Sequence, residues 1–420
     1  MNLTLGKFKE SRLDNGLRIF TCEDKSLPAT RVVLVSRAGS RYESKQERGY
    51  AHILEHMLLK GTPRFSGPAL LAREVDKKGG YMNAFTNQEY IRFELEMASG
   101  YTEFIFELLA DIVFNSLIDL NILEKEKKVI LEEFKTTEAD PTRSLARFGL
   151  EKLFAGHPLS QNALGEESSI FQATPDSLRS YKEKYLIPNR SAVIVAGDMS
   201  HDALVSLVEK HFSNWVANFS DKDTSYPIYH ASQKLFFKER VGNQTFISYN
   251  FYLDDIYKNQ KEEAAFRLLR SFLGYGQSSL LYEELRNKLS LIYGISASVL
   301  LFSDATLLSI GTSTSNPLSV IAEIEKVFQS LLAKFNQESL EETKAQTIGS
   351  FLRHMITPSD KSDFIRAGFI LRSKLYTPED YISEIKSVSL DDVLGVIKKY
   401  LDPAGAVVVA IGPKEFTLGQ

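Results

Sequence analysis

Hydrophobic and polar residues follow the same order in two parts of the chain, 215 residues apart. In each part, a segment with helical periodicity leads through a proline-containing loop into a short run of small and β-branched apolar residues. The matching positions are Tyr185 and Tyr400, Pro188 and Pro403, and Gly197 and Gly412. Each part therefore predicts a helix, a loop and a buried strand.

The beginnings of the two parts also agree, because residues 30–36 and 244–250 share a strand-like pattern at nearly the same offset. A chain of 420 residues exceeds the size at which one hydrophobic core usually keeps growing. We therefore predict two homologous α+β domains, over residues 1–215 and 234–420, joined by a polar linker over 216–233. Strands followed by runs of helix predict, in each domain, a mixed or antiparallel sheet with helices packed on one face.

One short segment combines an apolar helical stripe with polar residues on another face. The stripe consists of Ile53, Leu54, Met57 and Leu58. On a helix, His52 and His56 lie four residues apart, so both imidazoles leave one face close enough to bind a single small cation. Glu55 projects beside that position, where it is free to act as a base toward water. The order His-x-x-Glu-His is the inverted form of a zinc-binding motif. The alternative is a surface helix whose histidines form ordinary hydrogen bonds.

The rest of the composition limits the chemistry of such a site. Cys22 is the only cysteine, so neither an intrachain disulfide nor a zinc–thiolate cluster can form. Any metal must be bound by histidine and carboxylate side chains. Five of the seven histidines lie in no ligand spacing, and we assign them no chemical role: His157, His201, His211, His230 and His354.

Charge and hydropathy exclude several classes of partner. The 50 basic and 54 acidic residues are well mixed, with a net charge of −4, so no basic stripe predicts nucleic-acid binding. No run of 18 apolar residues predicts a membrane-spanning helix. The first ten residues have neither the apolar core of a signal peptide nor the arginine-rich, acid-free character of an organelle presequence. We expect a soluble cytoplasmic protein.

A catalytic zinc ion usually has three protein ligands, so a third must come from elsewhere in the chain. A helix is predicted from about Asp119 to about Asp140, before Pro141. On it, Glu126 and Glu133 are seven residues apart and share a face with three apolar residues, Ile122, Val129 and Ile130. Glu132 is rotated by about 100° from Glu133 and is predicted to face solvent. The alternative is a fully solvated Glu/Lys helix.

The two motifs together resemble the pitrilysin and insulinase family of zinc peptidases, which includes mitochondrial processing peptidase and bacterial processing-peptidase-like proteins. In that family a glutamate ligand follows the inverted motif by about 75 to 80 residues, within Glu-x-x-Val-Ile-x-x-Glu. Here Glu133 follows His56 by 77 residues. The resemblance implies that Glu133 is the third zinc ligand and that Glu126 orients a ligand from the outer shell.

The second half of the chain lacks the metal motif. At an offset of 214, the positions of His52, Glu55 and His56 are taken by Phe266, Leu269 and Arg270. None of these side chains can bind or activate zinc. We therefore expect one Zn²⁺ per chain, and a second half that serves substrate binding or stability.

Residues 79–96 predict a turn followed by strands, and they resemble the family segment Gly-Gly-x-x-Asn-Ala-x-Thr. In the family this strand is an exposed edge, to which an extended substrate adds as another strand. The resemblance assigns this role to the backbone of Asn83 and Ala84. Ile91 and Phe93 depart from the family pattern of Thr and Tyr, which affects side-chain preference more than catalysis. The alternative is a buried hairpin.

Residues 274–294 resemble a second family segment, a glycine-containing loop followed by Leu-Arg-x-Lys and a tyrosine. In active members this arginine and tyrosine reach the zinc site and hydrogen-bond the substrate carbonyl and the developing oxyanion. The resemblance assigns that role to Arg286 and Tyr293. Gly274 and Gly276 lack the third glycine and the strand of a nucleotide-binding fingerprint. Without the resemblance, Arg286 would be read as a structural residue at a helix end.

Together these observations predict a zinc metalloendopeptidase that hydrolyses short or unfolded peptides. The alternatives are a non-catalytic structural or partner subunit of a processing-peptidase-like complex, and a module that binds peptides without cutting them. Single-chain family members of about twice this length close two double-domain halves around one chamber. The resemblance therefore implies a second copy as partner in a homodimer, or a related subunit in a heterodimer.

Overall fold

The computed structural model describes residues 5–217, 226–254, 256 and 259–418. Part of the predicted linker, residues 218–225, lies outside the described residues. The chain forms two compact units. The first contains the described residues of Met1–Thr136, Gln161–Thr224 and His354–Thr377, and the second those of Thr137–Ser160, Ser225–Arg353 and Pro378–Gln420. Residues 137–160, from the N-terminal half of the sequence, therefore belong to the second unit. Residues 354–377, from the C-terminal half, belong to the first unit.

Eleven strands and sixteen α-helices occur among the described residues. The strands are β1 (Lys7–Arg12), β2 (Arg18–Glu23), β3 (Ala29–Ser36), β4 (Tyr81–Thr86), β5 (Ile91–Ala98), β6 (Ser191–Gly197), β7 (Leu235–Glu239), β8 (Thr245–Tyr252), β9 (Ile295–Leu301), β10 (Thr306–Thr314) and β11 (Val407–Gly412).

The first eight helices are α1 (Tyr50–Leu58), α2 (Pro68–Asp76), α3 (Thr102–Asn115), α4 (Leu120–Ala139), α5 (Pro141–Leu153), α6 (Glu167–Gln172), α7 (Pro175–Tyr185) and α8 (His201–Phe212). The remaining eight are α9 (Gln260–Gly274), α10 (Leu280–Tyr282), α11 (Pro317–Gln329), α12 (Leu331–Lys334), α13 (Gln337–Arg353), α14 (Pro358–Arg372), α15 (Pro378–Ser387) and α16 (Leu390–Tyr400). A π-helical turn, Glu283–Lys288, directly follows α10.

The first unit is built on a six-stranded sheet in the order β1-β2-β6-β3-β5-β4. β2 and β6 are parallel, and the other neighbouring strands are antiparallel, so the sheet is mixed as predicted. On one face, Leu34 of β3 and Val195 of β6 join the core that buries Ile53 of α1. Side chains alternate along a strand. Val33 and Ile194 therefore lie on the opposite face, where Phe369 of α14 covers them.

The second unit is built on a five-stranded sheet in the order β7-β11-β8-β10-β9. β7 and β11 are parallel, and the other neighbouring strands are antiparallel. Leaving out β1, the order matches that of the first sheet, which is what an internal repeat predicts. One face carries the larger core, with α9 and α16, and the other is covered by Phe148 of α5 against Val409 of β11.

The α+β class is confirmed in both units, with one difference from the expected layering. Helices were predicted on one face of each sheet, whereas α14 and α5 also cover part of the second face. No helix among the described residues is long and apolar enough to cross a membrane.

Candidate metal centre

Helix α1 presents the three polar residues of the His-x-x-Glu-His motif. Its apolar stripe is fully buried, as predicted, at Ile53, Leu54, Met57 and Leu58. This burial fixes the rotation of the helix, so His52 and His56 leave one face with their ring centroids 4.6 Å apart. Helix α1 is therefore packed on the core along this stripe rather than lying free on the surface.

The first turn of α1 is held by a residue that sequence reasoning did not identify. Gly49 precedes the helix with φ +99° and has no side chain with which to cap it. Instead, the buried carboxyl group of Glu43 accepts hydrogen bonds from the backbone N–H groups of Gly49 and Ala51, both at 2.8 Å. Burial raises the pKa of Glu43 to about 8, although these two N–H groups act in the opposite direction. The only signal in the sequence is an acid six residues before the glycine.

Helix α4 carries the two predicted acidic residues. Its start is capped by Asp119, whose side chain accepts from the N–H groups of Asn121 and Ile122 at 2.8 and 3.1 Å. The predicted boundaries, from about Asp119 to about Asp140, agree with Leu120–Ala139.

The predicted apolar stripe of α4 was wrong at one position. Val129 is 49% exposed, whereas Leu123 and Ile130 are fully buried and Lys127 lies among them. The Lys127 ammonium donates to the backbone carbonyl of Phe171 at 2.9 Å, which satisfies a cation inside the packed side of the helix. The contact side of α4 is therefore rotated from the one that its apolar residues alone predicted.

Glu133 lies next to both histidines. Its Oε2 atom is 3.6 Å from Nε2 of His52 and 3.6 Å from Nε2 of His56. A tetrahedral zinc ion with bonds of about 2.0–2.1 Å places its ligand atoms about 3.3 Å apart. The three ligand atoms all lie within 4.8 Å of one another, and among the described residues no other group of His, Cys, Asp and Glu side chains does so. The set therefore fits a small cation.

Glu132, the neighbouring acid, faces away from the histidines. Its carboxylate pairs with Lys135 at 2.7 Å, and both side chains are exposed. The prediction that Glu132 faces solvent is confirmed.

The pKa values of the two histidines are shifted in opposite directions. Burial, together with the neighbouring His56, lowers the pKa of His52 to about 4, so its imidazole is neutral near pH 7. Burial would also lower the pKa of His56, but the carboxylates of Glu133 and Glu126 raise it above its ordinary value. Two imidazole nitrogens and one carboxylate oxygen form a donor set that suits zinc. Because a histidine must be deprotonated to bind a metal, the raised pKa of His56 makes cation binding at this site weaken as the pH falls.

Glu126 supports His56 from behind. Its Oε2 atom accepts from Nδ1 of His56 at 3.0 Å, and the ammonium of Lys60 lies 2.9 Å from the same oxygen. A proton held on Nδ1 leaves the lone pair of Nε2 free toward Glu133 and the candidate cation. The outer position predicted for Glu126 agrees with this geometry. Lys60 was not identified from the sequence, because nothing local connects it with a residue 66 positions later.

Glu55 is half-buried on α1, between the two histidines in sequence. Burial raises the pKa of its carboxyl group above the ordinary value. A raised pKa makes a carboxylate a better proton acceptor and brings it closer to the range in which a general base works at neutral pH.

The predicted substrate strand is an edge strand. β4 lies at the end of its sheet and pairs with β5 on one side. Asn83 is exposed, whereas Ala84 is buried in the core that contains Ile53 of α1. The strand therefore runs alongside the helix that carries the histidines, with one edge unpaired among the described strands. The alternative of a buried hairpin does not fit this arrangement.

Arg286 and Tyr293 lie in the second unit. Arg286 belongs to the π-helical turn after α10, and its Nη1 donates to the carbonyl of Ile292 at 2.9 Å. Its guanidinium lies 5.0 Å from the ring centroid of Tyr293, which is 82% exposed. The two side chains therefore lie against each other, as a cation and an aromatic ring. Their predicted role toward the zinc site stays a prediction.

Comparison with known proteins relates the whole chain to one family. Residues 18–167 match the family model described as "Insulinase (Peptidase family M16)", and residues 172–347 match the model described as "Peptidase M16 inactive domain". An uncharacterized zinc protease of Rickettsia felis is 26% identical over 415 residues, which cover 97% of this chain and 98% of that protein. The uncharacterized zinc protease YmxG of Bacillus subtilis is 28% identical over 397 residues, covering 93% and 95%.

Among solved structures, the fold is similar to that of a protease from Helicobacter pylori, with a TM-score of 0.85 and 20% sequence identity. The match covers 97% of this chain and 99% of that one. At this identity the likeness concerns the fold, which the two chains share over nearly their full lengths.

Proposed function

Because the chain belongs to the M16 insulinase family of peptidases, we propose that it is a zinc-dependent metalloendopeptidase that hydrolyses short or unfolded peptides. The observation that carries the proposal is the convergence of His52, His56 and Glu133 to within 4.8 Å on helices α1 and α4. Glu55 stands beside this set with a raised pKa. A donor set and a base in one place are what metal-assisted hydrolysis of an amide bond requires.

His52, His56 and Glu133 would hold one Zn²⁺ per chain, with Glu126 and Lys60 fixing the orientation of His56. When bound, zinc supplies a Lewis acid that polarises the scissile carbonyl and makes water more acidic. Glu55 accepts the proton of the attacking water at its carboxylate, and it then delivers that proton to the nitrogen of the leaving amine.

The peptide would bind as an additional strand on the edge of β4, through the backbone of Asn83 and Ala84. Strand addition requires an extended substrate backbone, and this favours short or unfolded peptides over compact domains. Arg286 and Tyr293 would hydrogen-bond the substrate carbonyl and the developing oxyanion. Because these two residues lie in the unit without the metal set, we further propose that the chain works as a cytoplasmic homodimer in which each copy lends them to its partner's zinc site. A heterodimer with a related subunit is the alternative.

The test of the proposed reaction is incubation with a mixed library of unfolded peptides, with and without a chelator, read by mass spectrometry. Glu55→Gln should retain zinc and lose cleavage by about 100-fold or more, because Gln keeps the shape of Glu but cannot accept the water proton. Glu133→Gln should lose zinc affinity. Glu132→Gln is the matched control on the same helix and should behave like the wild type.

The second candidate function is a non-catalytic partner subunit of a processing-peptidase-like complex. The inactive-domain description of the model that matches residues 172–347 applies to the half without the metal motif. The first half keeps His52, Glu55, His56 and Glu133 together, which favours catalysis. Peptides recovered uncut in the presence of zinc, with the metal bound, would favour the subunit or a peptide-binding module.

A further inference from the structure

The candidate base, Glu55, has a single hydrogen-bonding neighbour. It is half-buried on α1, and it is not one of the three candidate ligands. Among the residues that the structure describes, only Thr86 brings a hydrogen-bond donor to its carboxyl group. A reacting group must be held in place to be efficient, because a misplacement of about 1 Å can cost about 100-fold in rate. What holds Glu55 therefore matters for the reaction.

Thr86 ends β4 on the side of the strand that faces α1. Side chains alternate along a strand, so Thr86 lies on the same side as Ala84. Both are buried, whereas the residues between and before them are exposed. Ala84 joins the core that contains Ile53 of α1, and the strand packs directly against this helix. The Thr86 hydroxyl therefore points toward the helix and away from the free edge of the sheet.

The Thr86 hydroxyl is buried and has no other use for its proton. The residue is 9% exposed, and within the described part of the chain its Oγ1 atom has no hydrogen bond of full geometry. Burial raises the pKa of Glu55, and the nearby Thr86 hydroxyl acts against this rise. The two groups are thus within reach but not yet aligned. Catalytic hydrogen bonds are often long or poorly aligned before a substrate binds.

Arg41 and Glu43 tie the turn after Thr86 to the start of α1. The backbone N–H of Arg41 donates to the carbonyl of Gln88 at 2.8 Å. Its guanidinium group pairs with the buried carboxylate of Glu89, also at 2.8 Å. Two residues later, Glu43 holds the first turn of α1 through two backbone N–H groups. The end of β4 and the start of α1 are therefore attached to the same short segment.

Gly39 allows this segment to lie directly on the turn. A Cβ atom at Gly39 would lie 2.5 Å from the backbone nitrogen of Tyr90, closer than side chains come to backbone atoms. The N–H of Ser40 also donates to the carbonyl of Asn87 at 3.1 Å. Direct contact between backbones leaves no flexible side chain in between, so the end of β4 keeps a fixed place beside α1.

We propose that Thr86 is a positioning residue, whose hydroxyl donates to one carboxylate oxygen of Glu55 and leaves the other oxygen to accept the proton of the attacking water. This proposal rests on the proposed peptidase function. A hydrogen bond to one oxygen fixes the plane of the carboxylate, which otherwise rotates broadly about its last torsion. Hydrogen bonds to an ionised acceptor are roughly twice as strong as neutral ones.

Thr86→Val separates the hydroxyl from the shape of the side chain. Valine keeps the branched shape and the strand preference of threonine but cannot donate. We expect kcat for peptide cleavage to fall about tenfold, the scale of losing a hydrogen bond to a charged group. KM should stay unchanged, because the hydroxyl faces α1 rather than the backbone edge of β4. Thr86→Ser keeps the donor and should recover most of the rate.

Thr306→Val is the matched control. Thr306 begins β10, and its hydroxyl is also buried without a hydrogen-bond partner among the described residues. This variant should keep the kcat of the wild type. Zinc affinity, measured by competition titration, should be the same in all of these proteins because no ligand is changed. An equal fall of kcat in Thr306→Val, or no recovery in Thr86→Ser, would overturn the proposal.

A double-mutant cycle tests the contact without any cleavage. Glu55→Met removes the carboxyl group and keeps an unbranched side chain of similar length. The free energy of unfolding is measured by urea denaturation of the metal-free protein for Thr86→Val, Glu55→Met and the double variant. Residues in contact give effects that do not add, so the double variant should differ from the sum of the single ones. Glu55→Met combined with Thr306→Val should be additive.

The two measurements distinguish the positioning role from the function on which it rests. Non-additive effects of Thr86 and Glu55 support the contact even if the wild type cleaves no peptide, in which case only the peptidase function fails. Additive effects would overturn the positioning role, and so would an unchanged kcat in Thr86→Val. An active wild type would leave the peptidase function standing in both cases.

Discussion

At the scale of single residues, the orientation of His56 depends on a pair outside the motif. The same oxygen of Glu126 lies 3.0 Å from Nδ1 of His56 and 2.9 Å from the ammonium of Lys60. Lys60 therefore holds the carboxylate in the position from which it accepts the Nδ1 proton. Contacts of this kind decide which ring nitrogen is offered to a metal.

We expect Lys60→Met to weaken zinc affinity about tenfold, the lower end of the usual cost of losing an outer-shell partner. Methionine keeps the length and packing of the lysine stem but cannot hold Glu126. The measurement is a zinc competition titration against a chromophoric chelator. Lys60→Arg should recover most of the affinity.

Lys135→Met is the matched control, because Lys135 also pairs with an acid of α4, Glu132, but on the exposed side. In the metal-free protein, the tautomer of His56 can be read directly by ¹⁵N NMR. A His56 that keeps its Nδ1 proton in Lys60→Met, with unchanged zinc affinity, would count against a positioning role.

At the scale of elements, helix α1 owes its position to Glu43. The two hydrogen bonds from Gly49 and Ala51 replace the side-chain cap that the helix lacks. Loss of a cap typically costs about 0.5–2 kcal/mol. Glu43→Gln keeps one acceptor oxygen and should therefore lower the free energy of unfolding by about 1 kcal/mol, as measured by urea denaturation.

Glu43 also predicts a pH dependence of stability. Its folded-state pKa of about 8 lies above the value of an unfolded chain, which is about 4.3. Between these two values the folded protein binds more protons than the unfolded one, so the contribution of this group to stability falls as the pH rises. Between about pH 5 and about pH 8, the free energy of unfolding should fall more for the wild type than for Glu43→Gln. The measurement is urea denaturation of both proteins at these two pH values. Parallel curves for the two proteins would contradict the assignment.

Much of this architecture follows from local patterns, and some of it does not. The stripe of Ile53, Leu54, Met57 and Leu58 predicted both the helix and its buried face, because all four side chains are fully buried in the core, where Tyr50 and Ala51 of the first turn join them. Val129 was misplaced because the side on which α4 packs depends on its neighbours, including the buried Lys127. Glu43 and Lys60 escaped detection for a related reason. Their roles are hydrogen bonds and ion pairs with partners that only the folded chain brings near.

At the scale of the whole molecule, we expect metal removal to leave the fold intact. Each unit has its own hydrophobic core. The candidate ligands belong to the first unit only, and they lie beside its core rather than within it. Chelation should therefore abolish peptide cleavage while the melting temperature changes by no more than the few degrees that loss of a bound ligand produces. A collapse of the melting transition, followed by circular dichroism, would indicate that the site is structural.

The proposed homodimer gives a sharper test of function. Glu55→Gln and the double variant Arg286→Ala, Tyr293→Phe should each be inactive alone. If each chain lends Arg286 and Tyr293 to its partner's zinc site, a mixed dimer of the two variants contains one site with every group intact. Peptide cleavage should then recover on mixing, up to about one quarter of the wild-type rate for random exchange of two-fold dimers.

The mixing control is a pair of chains that both carry Glu55→Gln, which should stay inactive. Subunit exchange is verified by native mass spectrometry with one chain isotopically labelled. Exchange without recovered cleavage would mean that Arg286 and Tyr293 act within their own chain or that a different partner protein is needed.

The placement of α14 bears on how this protein can be divided. A fragment that stops at residue 215 would contain all six strands of the first sheet and every candidate zinc ligand, yet it would lack the helix that covers Phe20, Val33 and Ile194. An apolar sheet face left open to water favours aggregation. Expression of residues 1–215 by themselves should therefore give insoluble protein, and a soluble version has to carry residues 354–377, fused or supplied as a separate peptide.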